Sequence, residues 1–352
     1  MSRNEIILIL VTALYFIAGT MSSVFVNVYL YAFTGSLYAM TAYSMIRFSL
    51  FPLGFYLGGK LSRTWTLSRI LTTGLIIIIA ALALLLSINS FFVRQPLLIY
   101  SLAFIFGTGE GLFWFSINNL NLSVSSKESL PHFIGTLGIT NSSAMVIAPF
   151  IASLIVKYAS SDLSGYIRIF QIVIIVQMIS AFLSTKIKLD KVVSAYTLKD
   201  KWNLKLDHQW RYIMISHFLL GVRDSLTLVL TGLLIYNATG GQGSLYGQLL
   251  TGFALINVAA NFVASRIIKR HNRIHMYILG AIILFSSTVI LVMVPNMIGA
   301  IYFGVSNAIG NPFFINPFSI IMMNAISDYS SNENINARMI MKELALDLGR
   351  VL

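Results

Sequence analysis

Lys186-Ile-Lys-Leu-Asp-Lys-Val-Val-Ser-Ala-Tyr-Thr-Leu-Lys-Asp-Lys-Trp-Asn-Leu-Lys-Leu-Asp-His-Gln-Trp-Arg211 is the longest polar interval in a chain that is otherwise almost continuously apolar. It holds Lys186, Lys188, Lys191, Lys199, Lys201, Lys205 and Arg211 against Asp190, Asp200 and Asp207. About as many hydrophobic stretches precede it as a complete second half would need to follow it. This pattern reads as a water-exposed loop joining two membrane-embedded halves.

The composition supports that reading. Mean hydropathy is +0.81, with 57% hydrophobic and only 10% charged residues. A soluble domain carries about 25% charged residues. A helix crosses the bilayer core with roughly 20 apolar residues, because it satisfies its own backbone hydrogen bonds. Such runs recur along the chain, so the expected class is an all-α polytopic membrane protein. Spans are predicted at about 5–33, 38–58, 67–89, 96–120, 133–156 and 166–186, then about 211–236, 246–266, 274–294 and 297–325. An eleventh begins near Arg338 and stops at Leu352, giving about ten complete spans plus a partial one and the expectation of an incomplete second half.

The net charge of +12 is a topology signal. With the N-terminus cytoplasmic, Arg3, Lys60, Arg63, Arg69, Lys127, the loop cations, Arg266, Lys269, Arg270, Arg273 and Arg338 share one side. Arg94, Lys157 and Arg168 fall on the other. This asymmetry follows the positive-inside rule and argues against a nucleic-acid surface. The expected location is the plasma membrane. The chain has no Cys, which excludes disulfides and thiolate metal sites. No P-loop, HExxH pair or G-x-S-x-G elbow is present, so neither an ATP-driven pump nor an enzyme is expected, and no cofactor or metal. Gly107-Thr-Gly109-Glu110-Gly111 lies within an apolar helical run after no strand, which removes a nucleotide loop.

Weak internal matches suggest a duplicated architecture. Phe16-Ile-Ala-Gly19-Thr-Met-Ser-Ser23 aligns with Phe218-Leu-Leu-Gly221-Val-Arg-Asp-Ser225, and Lys60 and Arg63 with Arg266 and Lys269. Gly111 to Phe115 aligns with Gly310 to Phe314. The expected domains are a six-helix bundle at 1–186, a central loop at 187–210 and an incomplete bundle at 211–352.

On these grounds the chain resembles the major facilitator superfamily of transporters across its length. Gly59-Lys60-Leu61-Ser62-Arg63 through Arg69 is similar to that family's basic loop after the second helix, with Arg63 where the family places Asp. Ala148-Pro149-Phe-Ile-Ala152-Ser153 is similar to its Gly-Pro motif in the fifth helix. The resemblance implies two parallel repeats about a midplane cavity, with Gly59, Lys60 and Arg63 in a loop that moves between conformations.

Ionisable residues inside apolar spans are costly and mark candidate pathways. Arg47 lies in the second span, roughly 20 Å from its basic end at 1.5 Å per residue. Glu110 sits within the fourth, read either as a proton or cation site or as a structural partner of Arg47 or Arg223. Arg223 and Asp224 lie near the middle of the seventh. Glu343, Asp347 and Arg350 share a face of the eleventh. His217 reads as a proton relay or as a helix-end residue at the lipid headgroups. Asn307 and Asn311 share a face of a tenth span bent by Pro312 and Pro317, and Trp114 with Phe113 and Phe115 could wall a cavity. Tyr15, Ser22 and Ser23 are the corresponding choice in the first span.

The sequence-based expectation is a monomeric secondary transporter of a small solute, coupled to protons. The alternatives are a non-transporting sensor or assembly partner with the same fold, and a lipid-headgroup flippase.

Overall fold

The computed structural model describes residues 2–87, 96–124, 130–188, 208–227, 231–269, 271–327 and 332–351. Most of the polar interval after Lys188 therefore lies outside the described residues, as do Arg94, Lys127 and Arg270. All regular structure among the described residues is helical. The helices are α1 (Arg3–Thr34), α2 (Leu37–Leu61), α3 (Leu67–Ser87), α4 (Pro96–Val124), α5 (Leu130–Lys157) and α6 (Asp162–Ser184). They continue as α7 (His208–Leu226), α8 (Gly232–Ala238), α9 (Gly243–Ile267), α10 (Arg273–Met293), α11 (Met297–Ser327) and α12 (Asn332–Val351).

Among the described residues, 7 helices are long and apolar enough to cross a membrane by length and composition: α1, α3, α4, α6, α9, α10 and α11. Their outer faces are apolar. Ile274, Ile278, Ile282 and Phe285 form an exposed stripe along α10, and Ile172, Ile175, Ile179 and Phe182 do so on α6. Helical spacing aligns each set on one face, and a stripe of this size suits hydrocarbon better than water.

Local signals set the helix ends. Ser2 and Glu5 form a reciprocal capping box that starts α1, satisfying donors that a helix start leaves orphaned. Gly35 ends α1 at φ 63°, a left-handed conformation that glycine adopts without strain, and the Ser36 hydroxyl then accepts from Ala39 N–H to start α2.

The chain packs as two compact units. The first comprises Met1–Ala144, Tyr166–Val229 and Asn336–Leu352, and the second Met145–Gly165 and Leu230–Ile335. Each draws on sequence from both sides of the polar interval.

In the first unit, α4 is the central strut, and its glycines explain why. A Cβ on Gly111 would lie 2.7 Å from Gly54 Cα of α2, and one on Gly107 would collide with the Arg47 carbonyl. On the other side, a Cβ on Gly74 of α3 would come within 2.9 Å of the Gly109 carbonyl. Small residues let helix backbones touch in a medium without a hydrophobic drive to associate. Helix α6 is tied in by hydroxyls: Ser68 Oγ donates to the Ser184 carbonyl at 2.6 Å and Ser180 Oγ to the Val11 carbonyl at 3.2 Å. Helices α7 and α12 cross just as closely, with Gly221 against the Leu346 carbonyl and Gly349 against the Phe218 carbonyl.

The second unit is built on α9, α10 and α11. Gly280 of α10 lies under the Phe313–Phe314 backbone of α11. Pro312 cannot donate to the Ala308 carbonyl one turn back. Asn257 Nδ2 of α9 donates to that carbonyl at 3.0 Å. The same unit holds a contact between Asp162 Oδ2, at the start of α6, and the Gly243 N–H that opens α9, at 2.8 Å.

Candidate functional site

The first unit gathers ionisable side chains from α2, α4, α7 and α12. Arg47 donates through Nε to Glu110 Oε2 at 2.7 Å and through Nη2 to Glu110 Oε1 at 2.6 Å. This is a bidentate, charge-assisted pair, and both side chains are about nine-tenths covered, at 11% and 12% exposure. The partner that the sequence left open between Arg47 and Arg223 is Arg47. Its guanidinium also sits 4.5 Å from the centre of the Phe106 ring, one turn before Glu110.

Tyr15 of α1 completes the pair, its hydroxyl 3.4 Å from Glu110 Oε1. The Tyr15 ring stacks on Phe113 with centroids 3.5 Å apart. Trp114 meets Tyr15 and Phe16 edge-on at 6.1 Å and 5.8 Å. Trp114 is half-buried, whereas Phe113 and Phe115 are buried. Ser22 turns back to its own helix, bonding the Gly19 carbonyl.

A second cluster joins α7 to α12. Arg350 Nη1 lies 3.0 Å from Asp347 Oδ1 on its own helix, and Nη2 lies 3.5 Å from Asp224 Oδ2 on α7. Arg223 is 3.7 Å from the other Asp224 oxygen. Arg350 also lies 5.6 Å from the ring centre of Phe48, the residue after Arg47. The two clusters therefore belong to one unit, with α12 beside α2. Glu343, on the same face of α12 as Asp347, pairs instead with its neighbour Lys342 at 2.8 Å.

His217 is buried, at 3% exposure, and its Nδ1 lies 2.8 Å from the Ile213 carbonyl, so Nδ1 carries the hydrogen. This places it inside the packed unit. Gly59 is buried, while Lys60 and Arg63 are exposed at the end of α2.

The second unit carries an amide ladder. Asn261 Nδ2 donates to Asn257 Oδ1 at 3.0 Å, and Asn316 Nδ2 donates to Asn261 Oδ1 at 3.2 Å. Asn307 and Asn311 are half-buried on α11 but stand outside this ladder. Asn257 and Asn261 are functional candidates that sequence reasoning misses. Their i, i+4 spacing inside an apolar run is the signal that marks them.

No protein-family model matches the chain. It is 24% identical over 357 residues, covering 100% of this chain and 81% of the relative, to "Uncharacterized protein YqgE" of Bacillus subtilis (strain 168). It is 25% identical over 169 residues to "Uncharacterized protein in sodM 3'region" of Geobacillus stearothermophilus, covering 48% of this chain and 77% of that one. Among solved structures it is similar to a variant of the nucleoside transporter NupG, with TM-score 0.78 and 11% identity over 99% of this chain and 89% of that one. A bacterial homologue of the iron transporter ferroportin in an inward-facing state gives 0.70 at 18%, over 100% and 93%. A D-xylose–proton symporter gives 0.70 at 13%, over 99% and 87%. At these identities the likeness concerns the fold alone: the chain shares the helical backbone arrangement of these solved transporters.

Proposed function

We propose that this chain is a secondary active transporter that moves a small polar or anionic solute by alternating access, with the proton as coupling ion. The proposed layout has about ten spans before the last helix, a bundle at 1–186, a loop at 187–210, a second bundle from 211, and a cytoplasmic N-terminus in the plasma membrane. The observation that carries the reading is the meeting of Arg47 and Glu110, from before the polar interval, with Asp224, Asp347 and Arg350, from after it, in one compact unit.

Stability alone does not call for such a site. A buried ion pair roughly cancels its own desolvation, and apolar residues of similar volume commonly hold a structure as well. Exchange of partners gives the charges a use. A proton on Glu110 ends the bidentate bond and releases the Arg47 guanidinium to an anionic group of the solute. Loss of that proton restores the pair and expels the solute. Asp224 and Asp347 give Arg350 a comparable choice. One proton crossing 100 mV supplies about 2.3 kcal/mol, enough to bias two states of similar free energy.

The test uses purified protein in proteoliposomes with a pH-sensitive dye inside and a panel of nucleosides, sugars, amino acids and metal salts outside. A solute that moves protons identifies the substrate class. Glu110→Gln should then abolish pH-driven movement while leaving part of the solute exchange. Unchanged pH coupling in that variant would remove Glu110 from the mechanism.

A further inference from the structure

A cavity of 720 Å³ opens at the end of the first unit that carries the N-terminus of α1, away from the ion pairs. It lies between the start of α3 and the segment after α6, and its lining includes Trp65, Thr66, Arg69, Thr72, Thr185 and Lys188. The sequence marks this region only as part of a basic loop. The structure turns it into a concave site with a specific donor set.

Among the described residues the lining holds two cations and no carboxylate. Neither Arg69 nor Lys188 joins an ion pair among the described residues. Glu5 stands at the nearby start of α1, but its carboxylate accepts from Ser2 N–H within the capping box. Lys188 is held in place by its backbone: its N–H donates to Asn4 Oδ1 at 3.2 Å and its carbonyl accepts from Asn4 Nδ2 at 2.8 Å. Its backbone is thereby fixed beside the cavity while its side chain is exposed.

The hydroxyls divide into two kinds. Thr72 and Thr185 spend their hydrogens on the Ser68 and Phe182 carbonyls. Thr66 Oγ1 accepts from Arg69 N–H at 3.4 Å, which leaves its own hydrogen available. The lining residues with donors to offer are thus Arg69, Lys188, Thr66 and Trp65, the last 38% exposed. Guanidinium and ammonium groups with neutral donors between them match a tetrahedral oxyanion. A basic recess that includes a tryptophan also suits the polar–apolar boundary of a bilayer.

We propose that this cavity binds a phosphate-bearing anion, either a phospholipid headgroup or a free phosphate. The site is separate from the ion-pair clusters, so it stands whether or not the chain transports.

The test takes the full chain in neutral detergent and adds short-chain phosphatidylglycerol, short-chain phosphatidylcholine or inorganic phosphate. Binding is read by native mass spectrometry and by the part of the tryptophan fluorescence change that Trp65→Phe removes. The expected result is binding of phosphatidylglycerol or phosphate that weakens roughly fivefold for Arg69→Gln or Lys188→Gln and about thirtyfold for both together. Arg69→Lys should retain most of it. A response to phosphatidylglycerol alone makes a lipid headgroup the source, and an equal response to inorganic phosphate makes it the free anion. The proposal is overturned if neither binds the wild type above phosphatidylcholine, or if the double variant binds as the wild type does. Binding of each compound to the wild type by native mass spectrometry decides the question even if a variant fails to fold.

Discussion

Arg350 reaches Asp224 across the α7–α12 contact at 3.5 Å while holding Asp347 one turn back on its own helix at 3.0 Å. The reach depends on glycine. Gly221 and Gly349 bring the two backbones so close that a Cβ on either would strike a carbonyl of the facing helix. One cation therefore serves two carboxylates on two helices. Arg350→Met should strand Asp347 and leave Asp224 with Arg223 alone, and cost about 1–3 kcal/mol, the usual penalty for an orphaned buried polar group. The measurement is Tm in detergent, and Asp224→Asn with Asp347→Asn in the Arg350→Met background should restore most of the loss. A single variant as stable as wild type would show that water already serves these carboxylates.

The Arg47–Glu110 pair separates structural from functional roles. Arg47→Met with Glu110→Leu should keep stability within about 1–2 kcal/mol of wild type, because volume-matched apolar replacement of a buried pair is commonly neutral. Arg47→Met alone should cost about 3–5 kcal/mol by stranding the carboxylate. Solute movement in proteoliposomes should vanish in both. Transport surviving in the double variant would reduce the pair to a structural tie.

Steric tolerance should differ sharply among glycines of similar sequence context. Gly107→Ala places a methyl against the Arg47 carbonyl, and the α2–α4 contact has to open to admit it. The variant should lose yield in membranes and fall in Tm. A Cβ on Gly252 would meet nothing within 4 Å, so Gly252→Ala should be neutral or stabilising by up to about 1 kcal/mol through helix propensity. Equal behaviour of the two in a detergent melt would contradict the packing described for α4.

Asn257 and Pro312 form a compensating couple. The proline removes the donor for the Ala308 carbonyl, and Asn257 supplies one at 3.0 Å. Asn257→Leu should cost about 1 kcal/mol, typical of a strong interhelical hydrogen bond in a membrane protein. In a Pro312→Ala background the backbone N–H returns and the same substitution should cost less. A double-mutant cycle on Tm reads the coupling, and strict additivity would show that Asn257 stabilises through Asn261 and not through the Ala308 carbonyl.

The amino-acid sequence alone determined the class of this protein, because partition into lipid is nearly a sum over consecutive residues. The runs from Leu67 to Leu86 and from Arg273 to Met293 announce membrane-compatible helices without reference to any neighbour. It also marked Arg47, Glu110, Asp224 and Arg350, since each is an ionisable group in an apolar stretch. Tertiary structure decided who meets whom. Glu110 pairs with Arg47 at 2.6 Å and not with Arg223. Asn257 and Asn261 carry the amide ladder with Asn316, and Asn307 and Asn311 stand outside it. Lys188 turns a topology signal into the rim of a cavity. Contacts between residues dozens of positions apart depend on which glycines let two backbones touch and on how far each helix is rotated about its axis. Hydropathy, which is local and insensitive to order within a span, contains neither quantity.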